Sequence, residues 1–329
     1  MRAMTVTQYG DPEVLKLQDL PIPTPGDNDV LIKVSACGMN PVSYKMRQAE
    51  RWGEREFPFV LGFDACGTIQ DMGKNVIGFE SGHEVYGSPS LMRDGADAEY
   101  VCADYRSVAI KPKSLDHAHA AAVPLAGLTA WEALHDHGRI ATGQTVLIHA
   151  GAGGVGHLAI QIAKAAGCRV ITTAGRDETI AFCNELGADF VINYKKHNVI
   201  EQIKELTNGG KCDVVFDTVG GDVFTDSIAC VGFYGRLVTI VPGVDTSGLN
   251  SLFAKSASVH FEYMGLPTMF DVNPQRQGEI LTQIGTLIDQ GKITPHVSKR
   301  YPLEQLADAH RQQETGRTVG KLVIDVNPQ

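Results

Sequence analysis

Residues 144–176 read QTVLIHAGAGGVGHLAIQIAKAAGCRVITTAGR, and the succession of strand, glycine loop, helix and strand in this stretch decides the fold. Val146-Leu147-Ile148 is a continuous apolar run, the pattern of a strand buried on both faces of a parallel sheet. Gly151, Gly153 and Gly156 then satisfy G-x-G-x-x-G, with Gly154 and Val155 inside the loop, before Leu158, Ile160, Ile162 and Ala163 continue as a helix. In such a loop the first glycine permits a tight turn, the second lets a pyrophosphate approach the backbone, and the third brings helix and strand together. The helix N-terminus adds unpaired N–H groups and the positive end of its dipole. A second strand over 169–173 closes the unit, which predicts a dinucleotide site rather than a ligand-free glycine turn.

The end of that second strand bears on which dinucleotide. An NAD unit places Asp or Glu there, about 20 residues beyond the loop. This chain has Thr173-Ala174-Gly175-Arg176, with no acid and with a guanidinium suited to a 2′-phosphate, so NADPH is the expected cofactor. Asp177 and Glu178 fall where negative charge favours the start of the next helix.

Around this unit, 329 residues suffice for two domains with a core each. A formal charge of −9, with no basic run longer than Lys195-Lys196, argues against nucleic acid or an anionic membrane as partner. No apolar stretch approaches a membrane span, and MRAMTVTQYG lacks a signal-peptide core, so a cytoplasmic protein is expected. Seven cysteines without a C-x-x-C pair suit reduced, buried thiols.

Up to about residue 112 the chain reads as short strands broken by turns, a partly closed antiparallel barrel. Two helices divided near Pro124 lead into the glycine-loop strand. Strands at Phe190-Val191-Ile192, Val214-Val215-Phe216 and Leu237-Val238-Thr239-Ile240 then alternate with helices, implying a doubly wound parallel sheet and hence an α/β fold. A helix over 278–290 and a strand over 320–325 are expected to return to the first domain. The resulting division is 1–122 with 264–329, and 123–263.

Gly38-Met39-Asn40-Pro41-Val42, Leu61-Gly62-Phe63-Asp64, the run from Pro124 to Ala130 and the glycine loop together resemble the zinc-lacking quinone oxidoreductase branch of the medium-chain dehydrogenase/reductase superfamily, over essentially the whole chain. The resemblance implies a GroES-like barrel domain, a Rossmann domain, and reduction of a quinone or an activated carbon–carbon double bond by NADPH. It also implies a homodimer made by pairing sheet edges, with residues 237–241 as the expected edge. Zinc-dependent relatives have a cysteine ligand where Asn40 stands and a histidine followed by glutamate where Phe63-Asp64 stand. Phenylalanine offers no lone pair and an amide is a poor substitute for thiolate, so no metal is expected. Gly82-His83-Glu84 imitates the missing motif about 20 residues too late.

Without a metal to polarise an alcohol, hydride transfer to an already electrophilic carbon remains feasible. Asn40 is the expected donor to the developing oxyanion, and Tyr44, four residues on, a source of a hydrogen bond or proton unless it is simply packed at the domain junction. Related sequences often have an acid at Ser43, so carboxylate catalysis there is not expected. For the cofactor, the resemblance assigns Thr129 to the nicotinamide side, Gly153, Gly154 and Val155 to the pyrophosphate, and Arg176 with Tyr194 to the 2′-phosphate. Val219, Gly220, Val241 and Gly243 follow later strands at the carboxyl edge, where ligands of doubly wound sheets bind. The rival readings are a zinc alcohol dehydrogenase and a non-catalytic NADPH-binding regulator. The acceptor itself depends on loops 48–57 and 264–277, whose conformations the sequence does not give.

Overall fold

A computed structural model describes residues 1–50 and 55–327 and divides them into two compact units, Met1–Leu128 with Gly265–Gly291 and Pro295–Gln329, and Thr129–Met264 with Lys292–Thr294. The sequence-based boundaries at 122/123 and 263/264 lie six residues and one residue earlier than these. Residues 51–54, in the loop expected to shape acceptor choice, lie outside the described residues.

In the first unit, β1 (Arg2–Val6), β2 (Leu15–Asp19), β3 (Asp29–Gly38), α1 (Pro41–Gln48), β4 (Phe59–Val60), β5 (Ala65–Met72), β6 (Glu84–Gly87), β7 (Tyr100–Asp104), β8 (Val108–Ile110) and α2 (His117–Ala121) follow in order. β1 pairs with β2 and β4, while β3 is the hub of the larger sheet, hydrogen-bonded to β5 and β7. Its apolar residues Val30, Ile32 and Val34 are fully buried in a core shared with Phe59, Leu61, Phe63 and Ile69. α3 (Pro124–Trp131) opens on proline, whose missing N–H costs nothing in a first turn, and carries the chain across the division at Leu128.

The second unit holds β9 (Thr145–Ile148), α4 (Gly156–Ala165), β10 (Arg169–Ala174), α5 (Asp177–Glu185), β11 (Phe190–Asn193), α6 (Val199–Leu206), β12 (Cys212–Asp217), α7 (Asp222–Cys230), β13 (Val231–Thr239), α8 (Asn250–Phe253) and β14 (Ser258–Phe261). All six strands are parallel, in the order β11-β10-β9-β12-β13-β14. Val146, Leu147 and Ile148 are fully buried, as their unbroken apolar run requires. Strand order reverses beside β9, and ligands bind such sheets at this switch point.

One expectation fails here. Residues 237–239 belong to β13, which pairs with β12 on one side and β14 on the other, so among the described residues the outer strands are β11 and β14, and β14 is the one on this side. A slip in the β12–β13 register expels Phe233 and Tyr234, about four-fifths exposed, with Tyr234 at φ 55°.

The chain then returns to the first unit with α9 (Leu266–Phe270), α10 (Gln275–Asp289), β15 (Val297–Pro302), α11 (Leu306–Glu314) and β16 (Lys321–Asp325). β16 pairs antiparallel with β3 through Val323↔Gly38, Ile324↔Cys37 and Asp325↔Ala36. Arg47 of α1 is fully buried; it donates from Nε to Gly10 O at 3.0 Å and meets His310 Nδ1 of α11 at 3.1 Å. Among the described residues no helix is long and apolar enough to cross a membrane.

Candidate active site

The glycine loop leaves β9 and enters α4 in the second unit, and its glycines are required for different reasons. A Cβ on Gly151 would lie 2.1 Å from Thr172 Oγ1, and one on Gly156 would lie 2.3 Å from Ala150 O, so packing of the loop on its own strand and helix forbids side chains at both. A Cβ on Gly153 would meet only Ala150 O, at 3.2 Å. That position is therefore open on the side where a phosphate would approach. The N–H groups of Gly154 and Val155 have no hydrogen-bond partner among the described residues, whereas Gly151 N–H donates to Thr173 O and Gly153 N–H to Ala150 O. A loop offering free donors at a helix N-terminus fits the pyrophosphate of a dinucleotide.

At the ends of β10 and β11 the structure sets the Tyr194 ring against Gly175, the residue before Arg176. The Tyr194 phenol lies so close to Gly175 that a Cβ there would be 2.6 Å from its Cζ. Arg176 Nε donates to Glu178 Oε1 at 2.7 Å, and Arg176 also receives Thr179 Oγ1–H on its carbonyl. A guanidinium and an exposed phenol ring at the carboxyl ends of neighbouring strands are groups that suit an adenosine 2′-phosphate. The loops after β12 and β13 also meet. Asp217 Oδ1 accepts from Val219 N–H and Gly220 N–H, both at 2.9 Å, and its Oδ2 accepts from Thr239 Oγ1, while Gly220 approaches Val241 too closely for a side chain. Gly243 stands at φ 74° with open space around it. Asp217 organises these loops, and Val-Phe-Asp-Thr is the local signal for it, a strand ending in a residue that caps its own turn. His149, just before the loop, is buried against Ser227 Oγ at 3.0 Å, and burial lowers it to about 4, so it stands neutral. Thr129 is buried on α3.

In the first unit Asn40 caps the start of α1 and is buried with Asp64 and Lys321. Asn40 Nδ2 donates to Asp64 Oδ2 at 2.8 Å; Lys321 Nζ donates to Asn40 Oδ1 at 2.6 Å and to Asp64 Oδ2 at 3.1 Å. Leu125 N–H, in the first turn of α3, donates to Asp64 Oδ1 at 2.5 Å. Burial pushes the Asp64 carboxyl up, while Lys321 and Asn40 oppose that rise. The second amide proton of Asn40 has only a 3.4 Å contact, to Gly38 O. Sequence reasoning missed Lys321, which reads there merely as the start of the last strand. Tyr44 stands half-buried one turn along α1, and Lys45 is exposed.

Other titratable groups stand apart. Buried Cys37 lies beside buried Asp97, whose carboxyl burial raises to about 7. In the second unit Glu132 and Glu262 form a buried carboxyl pair. Burial, then mutual repulsion, raises Glu132 to about 9, and burial raises Glu262 to about 7. His137 meets Glu262 Oε2 at 3.1 Å and stacks on His260 with ring centroids 5.5 Å apart, so His137 is tied to a buried acid rather than simply solvated as a surface residue. All seven cysteines are free and buried.

Two family models match, the alcohol dehydrogenase GroES-like domain over residues 26–113 and a zinc-binding dehydrogenase model over 186–324. A zinc-type alcohol dehydrogenase-like protein of Staphylococcus aureus is 36% identical over 315 residues, 92% of each chain. Human quinone oxidoreductase is 31% identical over 328 residues, 98% of this chain and 97% of that protein. The crystal structure of Escherichia coli quinone oxidoreductase complexed with NADPH superposes with a TM-score of 0.88 at 28% identity, covering 99% of this chain and 100% of that one. The zinc of the family model's name does not fit these residues. Phe63 is fully buried and has no donor atom, and Asp64 and the Asn40 oxygen already hold the Lys321 ammonium.

Proposed function

The chain belongs to the medium-chain dehydrogenase/reductase superfamily, in its quinone oxidoreductase-like branch, and on that premise we propose that it is a cytoplasmic, zinc-independent reductase that takes NADPH and a quinone or α,β-unsaturated carbonyl. The observation that carries this reading is the Asn40–Asp64–Lys321 cluster, in which Asn40 and Asp64, two of the positions matching the metal motifs of zinc-dependent relatives, are engaged with the ammonium of Lys321 from a distant strand. When bound, the reduced nicotinamide supplies the hydride, a transfer that needs orientation more than protein chemistry. Gly153 with the Gly154 and Val155 N–H groups would hold the pyrophosphate, and Arg176 with Tyr194 would hold the 2′-phosphate. Thr129 lies on the nicotinamide side, and the loops of Val219, Gly220, Val241 and Gly243 border the same carboxyl edge. Asn40, whose second amide N–H makes only a 3.4 Å contact to Gly38 O, would direct that N–H as a hydrogen bond to the acceptor oxygen as negative charge gathers there. After hydride has reached carbon or oxygen, Tyr44 or water would deliver the proton that completes the reduced acceptor.

The test is oxidation of NADPH, followed at the nicotinamide absorbance, with 1,4-benzoquinone, 9,10-phenanthrenequinone, a linear enone and simple aldehydes, with chelator and NADH as controls. Chelator-resistant turnover of a quinone or enone is the expected outcome. Chelator-sensitive aldehyde reduction would restore the zinc alcohol dehydrogenase, and tight NADPH binding without turnover would make the protein a regulator. The same reading includes a homodimer through β14, whose free edge carries exposed Phe261. Light scattering should give twice the chain mass of 35.5 kDa.

A further inference from the structure

We infer that Lys321 is a positioning residue for the Asn40 amide, fixing which end of it faces the acceptor and strengthening it as a donor. The placement follows from strand register. Pairs of β16 with β3 run Ile324↔Cys37 and Val323↔Gly38, and Met39 N–H donates to Leu322 O at 2.9 Å. Continuing that antiparallel register sets Lys321 opposite Asn40. The backbone therefore delivers a lysine to the amide rather than leaving a flexible side chain to find it.

Three consequences follow. An asparagine amide is nearly symmetric in shape, so its orientation is decided by its partners. A cation on Oδ1 at 2.6 Å and a carboxylate on Nδ2 at 2.8 Å both select the same orientation. The ammonium also withdraws electron density from the amide oxygen, which makes the remaining N–H a stronger donor in a site away from water. Finally, the positive charge near the developing oxyanion comes from the chain itself, so the site needs no divalent ion to supply it. A purely structural role would be narrower, with Lys321 there only to neutralise the buried Asp64 carboxylate.

The two roles separate in a double variant. Lys321→Met leaves Asp64 unpaired and is expected to lower stability. Lys321→Met with Asp64→Asn removes both charges and should regain most of that stability. The inference, whose kinetic arm rests on the reductase reading, expects kcat of the double variant to stay at least about tenfold below that of Asp64→Asn alone, which removes the same carboxylate, while the KM for NADPH changes less than about threefold. Recovery of kcat along with stability overturns it. A readout independent of turnover is the ¹⁵N-resolved side-chain NH₂ resonance of Asn40, identified by its loss in Asn40→Ala. It should move upfield in the double variant, and an unmoved resonance overturns the inference. If the wild type reduces no acceptor, the reductase reading fails and the resonance alone decides the role of Lys321.

Discussion

The glycine loop of the second unit and the Asn40 cluster of the first solve opposite problems. Among the described residues the loop leaves the N–H groups of Gly154 and Val155 without partners and keeps Gly153 open, so its polar groups are available to something from outside. The cluster leaves almost nothing open. Asp64 alone accepts from Leu125, Asn40 and Lys321, and one amide proton of Asn40 is the remaining loose end. The first arrangement binds because it is unsatisfied. The second is rigid because it is satisfied, and a rigid donor loses little entropy when charge develops beside it.

The contrast can be broken most forcefully in the cluster. Asp64→Ala strands the Lys321 ammonium in a buried site and should cost about 3–5 kcal/mol in urea denaturation. A loss below about 1 kcal/mol would mean that the ammonium finds water and the cluster is not closed. The loop's internal division of labour comes next. Gly156→Ala drives a Cβ into Ala150 O and should cost about 1–3 kcal/mol. Gly153→Ala should stay within about 1 kcal/mol of wild type yet weaken NADPH at least about tenfold in a fluorescence titration. Equal stability losses at the two glycines would erase the distinction. Arg176→Ala should weaken NADPH about tenfold more than NADH, and an unchanged preference would remove Arg176 from the 2′-phosphate.

The smallest effect concerns acidity. Glu132 and Glu262 hold their protons in the folded chain up to about 9 and about 7, against an ordinary value of 4.5. Between 4.5 and about 9 the folded state thus binds more protons than the unfolded one. Their contribution to stability is complete below that window and declines as pH rises through it. Glu132→Gln, which keeps a hydrogen-bonding group but no charge, should flatten the fall in melting temperature between about pH 5 and 9. A fall as steep as wild type would show that the pair does not titrate there.

What the sequence showed of all this follows from range. The loop, its flanking strands and the absence of an acid before Arg176 are encoded within about 35 residues, where spacing and periodicity carry the information, whereas Tyr194 entered only through the family resemblance. Lys321 meets Asn40 across 281 residues, and no local pattern distinguishes it from a lysine beginning an exposed strand. The misplaced sheet edge has a different cause. Leu237-Val238 is apolar on both faces, which in a parallel sheet marks an interior strand, and an edge should instead have been sought in the mixed Ser258-Val259-His260-Phe261. β15, with Ser298, Lys299 and Arg300 exposed, carried too little apolar alternation to be read as a strand at all.

The 281-position separation of Asn40 and Lys321 also sets an order of events at the ribosome. At roughly 5–20 residues per second, Asn40 and Asp64 emerge on the order of 15–60 s before the lysine that completes them. The nascent barrel must wait with an uncompensated acid while the whole nucleotide-binding unit is made and folds. A chain that ends before β16 lacks the ammonium that meets Asp64, so incomplete products are expected to be less stable and more open to proteases.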